Sequence, residues 1–230
     1  MAIVKFGAGI SEMRGKEGGV IYSRNAFGSY IKTKVSPINP NSGNQQTQRG
    51  LMGNLAHAWS TLSVANKASW ENLATQVTRT NRFGDQASYT GFSLFMRLNR
   101  NLSTVGVAMI STAPVVPTIP ILTVGALVAT KTGNVLTQVF TPTTPGATMW
   151  VVVYLTNNII GGRKFVKNYF RLVFKSLNPT TSPLNLYSSW NTYFGVLPVA
   201  GANIFAKAKI IDQTTGFDGV PVNSTAVLAA

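Results

Sequence analysis

Residues 149–154 read Met149-Trp150-Val151-Val152-Val153-Tyr154, a run rich in the β-branched and aromatic side chains that favour strands. A second run of this kind, Ile204-Phe205-Ala206-Lys207-Ala208-Lys209-Ile210, follows about fifty residues later. Turn-forming residues bound both runs. We expect them to pair as the central strands of a β-sandwich.

The segments around these two runs have the same character. Turn signals recur between β-rich segments from residue 122 to the C-terminus. The predicted strands are Leu122–Val128, Val135–Thr141, Thr148–Thr156, Lys164–Phe174, Tyr187–Tyr193, Asn203–Asp212 and Ser224–Leu228. Seven short strands in this length predict an all-β, immunoglobulin-like sandwich over residues 122–230.

A proline-rich segment precedes the first of these strands. In residues 111–121, prolines stand at positions 114, 117 and 120. A spacing of three favours an extended, polyproline-like linker, or an edge strand entering a new domain. The predicted domains are therefore 1–110 and 122–230, joined by a linker at 111–121.

Residues 1–110 combine strands with helices. Residues 18–23 and 29–35 flank a loop of hairpin length, which predicts a β-hairpin. Helical periodicity follows in 41–62, in 64–77 with Ser63 as N-cap, and in 91–100, while 78–88 is predicted to be a polar link. The N-terminal module is therefore predicted to be α+β, with a hairpin and about three short helices.

The charge of the chain is low and one-sided. Lys and Arg number 20, Asp and Glu number 6, and charged residues make up 11% of the 230 residues. The net charge of +14 is shared, with +8 in residues 1–110 and +6 in the rest. Such a surface predicts a permanent partner, with a merely basic free protein as the alternative.

The residues that carry chemistry are few and dispersed. His57 is the single histidine, cysteine is absent, and the six acids are scattered. Asp212 and Asp218 flank a turn, where aspartates usually cap backbone amides, so a calcium site is disfavoured there. Gly15–Gly19 lacks the Walker spacing. We expect no enzyme, no cofactor and no metal site.

Nothing in the sequence indicates export or a membrane. The first residues lack the apolar region of a signal peptide, and no run of 18 apolar residues occurs. We expect synthesis in the cytoplasm without classical export, and no membrane partner.

Basic and aromatic residues alternate around the predicted hairpin. Such a mixture is typical of surfaces that contact phosphates and bases, or of arms that dock on an acidic protein surface. Docking is the favoured interpretation, and nucleic acid stays open. The residues expected to make these contacts are Arg14, Lys16, Tyr22, Arg24, Phe27, Tyr30, Lys32 and Lys34.

Several motifs between residues 4 and 75 occur in the same order in a known group of proteins. With Trp70, they are Lys5–Ile10, Met13–Lys16, Ser23–Asn25, Gly28–Tyr30, Lys34–Pro40, Gln46–Arg49 and Ala58-Trp59. In these motifs the chain resembles virion structural proteins of tailed phages and prophages, which pair this module with a β-sandwich. The C-terminal part is similar to immunoglobulin-like or fibronectin type III modules, with residues 206–216 resembling their last hairpin.

The resemblance implies a place in a bacteriophage virion. We expect an auxiliary or decoration protein of the head, docked on capsid subunits. A tail or head–tail connector component and a basic, DNA-associated virion protein are the alternatives. The implied partners are other virion proteins, capsid or tail subunits, and copies of the chain itself.

Overall fold

A computed structural model describes residues 2–4, 7–25, 28–36, 38–80, 86–141, 145–159, 166–178, 182–195 and 200–229. Backbone contacts divide the chain into two compact units, Met1–Thr47 and Gln48–Ala230. Within the described ranges, no helix combines the length and apolar composition that crossing a membrane requires.

The first unit contains an antiparallel sheet of four short strands in the order β1-β4-β3-β2. The strands are β1 (Ala2–Ile3), β2 (Gly15–Glu17), β3 (Val20–Asn25) and β4 (Gly28–Thr33). The predicted hairpin is confirmed, because β3 pairs with β4 from Val20 opposite Thr33 to Asn25 opposite Gly28. The turn from β2 to β3 uses Gly18 at φ +56°, a conformation that favours glycine.

Three helices follow, as the periodicity predicts: α1 (Gly43–Thr61), α2 (Val64–Gln76) and α3 (Gly91–Val105). Ser63 caps α2 by accepting a hydrogen bond from the amide of Asn66, which confirms the predicted N-cap. The segment 78–88 is more than a polar link, since β5 (Thr78–Thr80) pairs there with β6 (Gln86–Ser88).

The helical core is built on aromatic side chains. Trp70 and Phe95 are fully buried and meet edge to face, with ring centroids 5.2 Å apart. Leu94 and Leu98 of α3 are also fully buried in this cluster. Phe92, by contrast, is 39% exposed, and its ring meets that of Trp59 edge to face with centroids 5.7 Å apart.

The C-terminal part consists of two antiparallel sheets. One sheet has the order β11-β8-β7 and the other β10-β9-β12-β13. Ladder pairing of β9 with β12, from Ala206 opposite Leu155 to Asp212 opposite Met149, confirms the predicted central pair. The strands are β7 (Thr123–Thr130), β8 (Val135–Thr141), β9 (Met149–Leu155), β10 (Arg171–Leu177), β11 (Leu184–Asn185), β12 (Asn203–Asp212) and β13 (Val222–Val227).

Both sheets contribute to one apolar core. Leu136 and Phe140 of β8 and Val151, Leu155 and Ile210 of the other sheet are buried in the same cluster. Burying such a side chain stabilises the fold by about 1.5–3 kcal/mol. The alternating burial along β12 places one face of that strand in this core.

Two strand predictions need correction. The strand predicted at Lys164–Phe174 begins only at Arg171, because Lys167–Tyr169 form a 3₁₀ helix. The other predicted strand is wrong. Residues Tyr187–Phe194 form a helix, α4, instead of a strand over Tyr187–Tyr193. Leu186 and Trp190 are fully buried, and Trp190 lies against Phe194 with ring centroids 4.6 Å apart. A helix puts these three side chains on one face, whereas a strand would place the polar, exposed Ser188 and Thr192 on that same face.

The proline-rich segment does not coincide with the division into units. Residues 111–121 lie inside the second unit, which holds α2, α3 and both C-terminal sheets. Trp70 Nε1 donates a hydrogen bond to the carbonyl of Ser111 at 2.8 Å, and Ile119 packs against the helical core. Contacts therefore hold this segment, which forms neither helix nor strand, against the helices, and the domain bounds 1–110 and 122–230 stay a prediction.

Candidate interaction surface

The residues expected to make contacts lie on two opposite faces of the N-terminal sheet. Residues directly opposite each other in an antiparallel ladder point to the same face. Lys16 lies opposite Ile21, and Ile21 lies opposite Lys32, so the three form a row across β2, β3 and β4. Tyr30, two residues before Lys32, shares this face. We call Lys16, Ile21, Tyr30 and Lys32 the basic face.

The lysines of this face are exposed and unneutralised. Lys34 extends the ladder, because its amide donates to the carbonyl of Gly19 at 2.8 Å, and alternation places it on the side of Lys32. Lys16, Lys32 and Lys34 are all exposed, and none forms an ion pair with another described residue. The face therefore presents positive charge around Ile21 and Tyr30.

Tyr22 and Arg24 lie on the opposite face, so the single cluster expected from the sequence is divided by the register. Arg24 Nη1 lies 3.7 Å from Glu12 Oε1, and Arg14 Nη2 lies 2.9 Å from the same oxygen. Glu12 thus neutralises part of the charge of these two arginines. Phe27, also expected at the contact, lies outside the described residues.

The N-terminal sheet has no buried residue in the described part of Met1–Thr47. Its apolar and aromatic side chains are half-buried: Val20, Ile21, Tyr22, Tyr30 and Ile31. Sheets of short strands owe their stability to an apolar face that is covered. This sheet therefore gains stability from any surface that covers one of its faces.

The second unit holds a charged cluster that the sequence did not reveal. Arg97 of α3 donates from Nη2 to Asp218 Oδ1 at 2.7 Å, and Lys209 of β12 donates from Nζ to Asp218 Oδ2 at 3.2 Å. The side chains of Asp218 and Lys209 are 16% and 14% exposed, that of Arg97 39%. No local pattern pairs residues 121 apart in the chain.

Tyr89 extends this cluster toward the β5–β6 hairpin. Arg97 Nη1 donates to the Tyr89 hydroxyl at 2.6 Å. The guanidinium groups of Arg79 and Arg97 lie 5.2 Å and 5.4 Å from the Tyr89 ring centroid, within range of cation–π attraction. The cluster thus ties the hairpin, α3 and the loop between β12 and β13 together.

The charges in this cluster are fixed near neutral pH. Burial alone would raise the pKa of Asp218, but Lys209 and Arg97 outweigh burial and hold that pKa below its ordinary value. Burial alone would lower the pKa of Arg97, and Asp218 and Tyr89 reverse that effect. These groups are suited to holding charge and poorly suited to exchanging protons.

Asp212 caps its turn as the sequence predicts. It accepts hydrogen bonds from the amide of Thr214 at 3.2 Å and from the hydroxyls of Thr214 and Thr215 at 2.7 Å and 2.6 Å. Burial would raise the pKa of Asp212, but these hydrogen bonds lower it. Asp218, expected in the same role, instead makes the ion pairs with Arg97 and Lys209.

The other chemistry-bearing residues stay apart. In the part of the chain that the structure describes, no three His, Cys, Asp or Glu side chains come together in a way that could hold a metal ion. His57 is exposed on α1. A scan against protein-family models, a search of curated proteins and a search of solved structures each find no match.

Proposed function

We propose that this chain is a structural protein of a larger particle, a tailed-phage virion, and that it attaches through its basic face. One observation carries the proposal. The N-terminal sheet has half-exposed apolar side chains, no buried residue among those described, and lysines without ion-pair partners. Such a sheet is better suited to an interface than to a free surface.

The basic face has the anatomy of an interface. Lys16 and Lys32 flank the apolar Ile21 on the neighbouring strands, and Tyr30 and Lys34 lie on either side of Lys32 along β4 and its continuation. Interfaces commonly place such anchors at the centre and charge at the rim. The complementary partner is a protein surface that carries Asp or Glu around an apolar depression.

The assignment to a virion rests on the resemblance of the motifs between residues 4 and 75. Within the particle we favour the head surface, where the chain would be an auxiliary or decoration protein on capsid subunits. A tail or head–tail connector position is the alternative. Microscopy of particles that lack the chain separates these positions by the density that is lost.

We further infer that residues 122–230 are an immunoglobulin-like or fibronectin type III-like sandwich. The chain passes from β8 to β9 and from β11 to β12 between the two sheets, as strands B to C and E to F do in that fold. The fourth strand, β10, pairs with β9 instead of joining the first sheet as strand D does in constant-type domains. An experimental structure should show two facing sheets about 10 Å apart.

Particle incorporation tests the proposed attachment. Both substitutions, Lys16→Glu and Lys32→Glu, are introduced together into the phage or prophage that encodes the chain. The amount of the chain in purified particles is then measured by mass spectrometry. The matched control is Lys131→Glu with Lys167→Glu, which makes the same charge change at exposed sites of the second unit. We expect loss of incorporation for the first pair and wild-type incorporation for the control. Equal incorporation of both pairs, or particles without the chain, would contradict the proposal.

Tyr30 beside Lys32 also favours a second candidate, a DNA-associated virion protein, because an aromatic ring beside lysines suits bases and phosphates. That function requires DNA affinity of the full chain that falls steeply with salt and is lost in the Lys16→Glu, Lys32→Glu variant. Absence of binding at low ionic strength eliminates it.

A further inference from the structure

A cleft of about 470 Å³ lies between α1, α3 and the end of β12, within the second unit. One wall is apolar, formed by Met52, Phe92 and Met96. Met52 and Phe92 are 43% and 39% exposed. The cleft therefore offers apolar contact area that the chain itself leaves uncovered.

The same cleft carries an excess of positive charge. Arg97, Arg100 and Lys209 line it with a single carboxylate, that of Asp218. Both oxygens of Asp218 are occupied, Oδ1 by Arg97 and Oδ2 by Lys209. The exposed guanidinium of Arg100 has no hydrogen bond or ion pair with another described residue. Three cations and one carboxylate give the lining a net charge of +2, and Arg100 is the cation that has no ion pair with another described residue.

We infer that this cleft binds an acidic segment of a neighbouring protein, with a carboxylate on Arg100 and an adjoining apolar side chain against Met52 and Phe92. A guanidinium binds a carboxylate through two parallel hydrogen bonds, which gives direction as well as attraction. An apolar side chain next to that carboxylate covers the thioether and aromatic wall. A bare inorganic anion would use the charge and leave the wall exposed.

This site is independent of the basic face, which belongs to the first unit. Binding in the cleft is therefore expected to survive the Lys16→Glu, Lys32→Glu substitutions. Failure of the wild-type chain to bind the peptide would overturn the cleft and leave the attachment standing. Normal incorporation of the Lys16→Glu, Lys32→Glu variant, with its peptide binding intact, would overturn the attachment and leave the cleft standing.

The methionines of the cleft provide a direct readout. Full-length protein labelled with ¹³C at the methionine methyl groups is titrated with the blocked peptide acetyl-Glu-Leu-Glu-amide. The controls are acetyl-Gln-Leu-Gln-amide and inorganic phosphate. We expect saturable shifts of the Met52 and Met96 methyl signals with the acidic peptide, and small, non-saturating shifts with both controls. The signals of Met109 and Met149, which do not line the cleft, serve as internal references.

Substitution of Arg100 completes the test. Arg100→Gln should weaken binding of the acidic peptide about tenfold, as expected when a charge-assisted hydrogen-bond pair is lost. Lys131→Gln removes the same charge from an exposed turn and should leave binding unchanged. The inference is overturned if the glutamine peptide or phosphate shifts the signals as strongly, if no shift saturates, or if Arg100→Gln binds as well as the wild type.

Discussion

Arg97 and Asp218 lie 121 residues apart in the chain, and their side chains meet at 2.7 Å. Lys209 binds the second oxygen of the same carboxylate at 3.2 Å. This contact joins two elements of the second unit that lie far apart in the chain, the helix α3 and the loop after β12. Arg100, which also lines the cleft, takes no part in these ion pairs.

Replacing Asp218 with Asn should destabilise the second unit. The substitution leaves Arg97 and Lys209 without their counter-charge while keeping the shape of the side chain. We expect a loss of about 1–3 kcal/mol in the free energy of unfolding, below the value for a fully buried pair because Arg97 is partly exposed. Urea unfolding measures it. Glu17→Gln, at an exposed site, is the control and should cost under about 0.5 kcal/mol.

Acid should weaken the fold through the same carboxylate. The pKa values of Asp218 and Asp212 are lowered in the folded chain, so the unfolded chain binds their protons more readily. Their stabilising contribution is present above the unfolded pKa of about 3.9 and is lost as the pH falls through the folded values. Unfolding free energies measured from pH 7 to pH 2 should fall below about pH 5. Asp218→Asn should show a smaller fall, and an equal fall would contradict this role.

Gly201 and Gly216 both adopt left-handed conformations, so replacing each with Ala distinguishes the cost of backbone strain from the cost of steric crowding. A Cβ at Gly216, φ +77°, would press against the carbonyl oxygen of Leu98 in α3, whereas one at Gly201, φ +86°, would meet no atom of the described residues within 4 Å. Gly201→Ala should cost about 1–2 kcal/mol from strain alone. Gly216→Ala should cost at least about 2 kcal/mol more, because the loop must move away from α3. Thermal unfolding of both variants tests this, and equal losses would refute the close packing of that loop.

Two fully buried tryptophans differ in one hydrogen bond. Trp70 Nε1 donates to the carbonyl of Ser111, whereas Trp190 Nε1 has no partner among the described residues. Replacing either with Phe removes similar volume, but only Trp70→Phe also breaks a hydrogen bond. We expect Trp70→Phe to destabilise the chain by about 1 kcal/mol more than Trp190→Phe. Chemical denaturation compares the two, and a larger loss for Trp190→Phe would be inconsistent with these contacts.

Local patterns were sufficient to predict much of the fold. The cap at Ser63, the helical stripes and the β-rich runs each depend on neighbouring residues, and the observed α2, β8 and β12 follow them closely. The helix Tyr187–Phe194 was not predicted. The spacing of four between Leu186, Trp190 and Phe194 indicates a buried helical face only when it is given more weight than the strand propensity of these residues.

The interaction surfaces were harder to predict. The sequence shows which residues are basic or aromatic, but the strand register decides that Lys16 and Lys32 share a face and that Tyr22 and Arg24 lie on the other. The cleft depends on contacts between α3 and β12, more than a hundred residues apart, which no local pattern encodes.

Amide hydrogen exchange of the N-terminal sheet, measured in the free chain and in the assembled particle, tests attachment through the basic face most directly. In the free full-length chain, amides of β3 and β4 should exchange much faster than those of β9 and β12, because the sheet has no buried residue among those described. In purified particles, exchange in residues 20–33 should slow by at least about tenfold as a partner covers the sheet. Unchanged exchange of these residues in the particle would contradict attachment through this sheet.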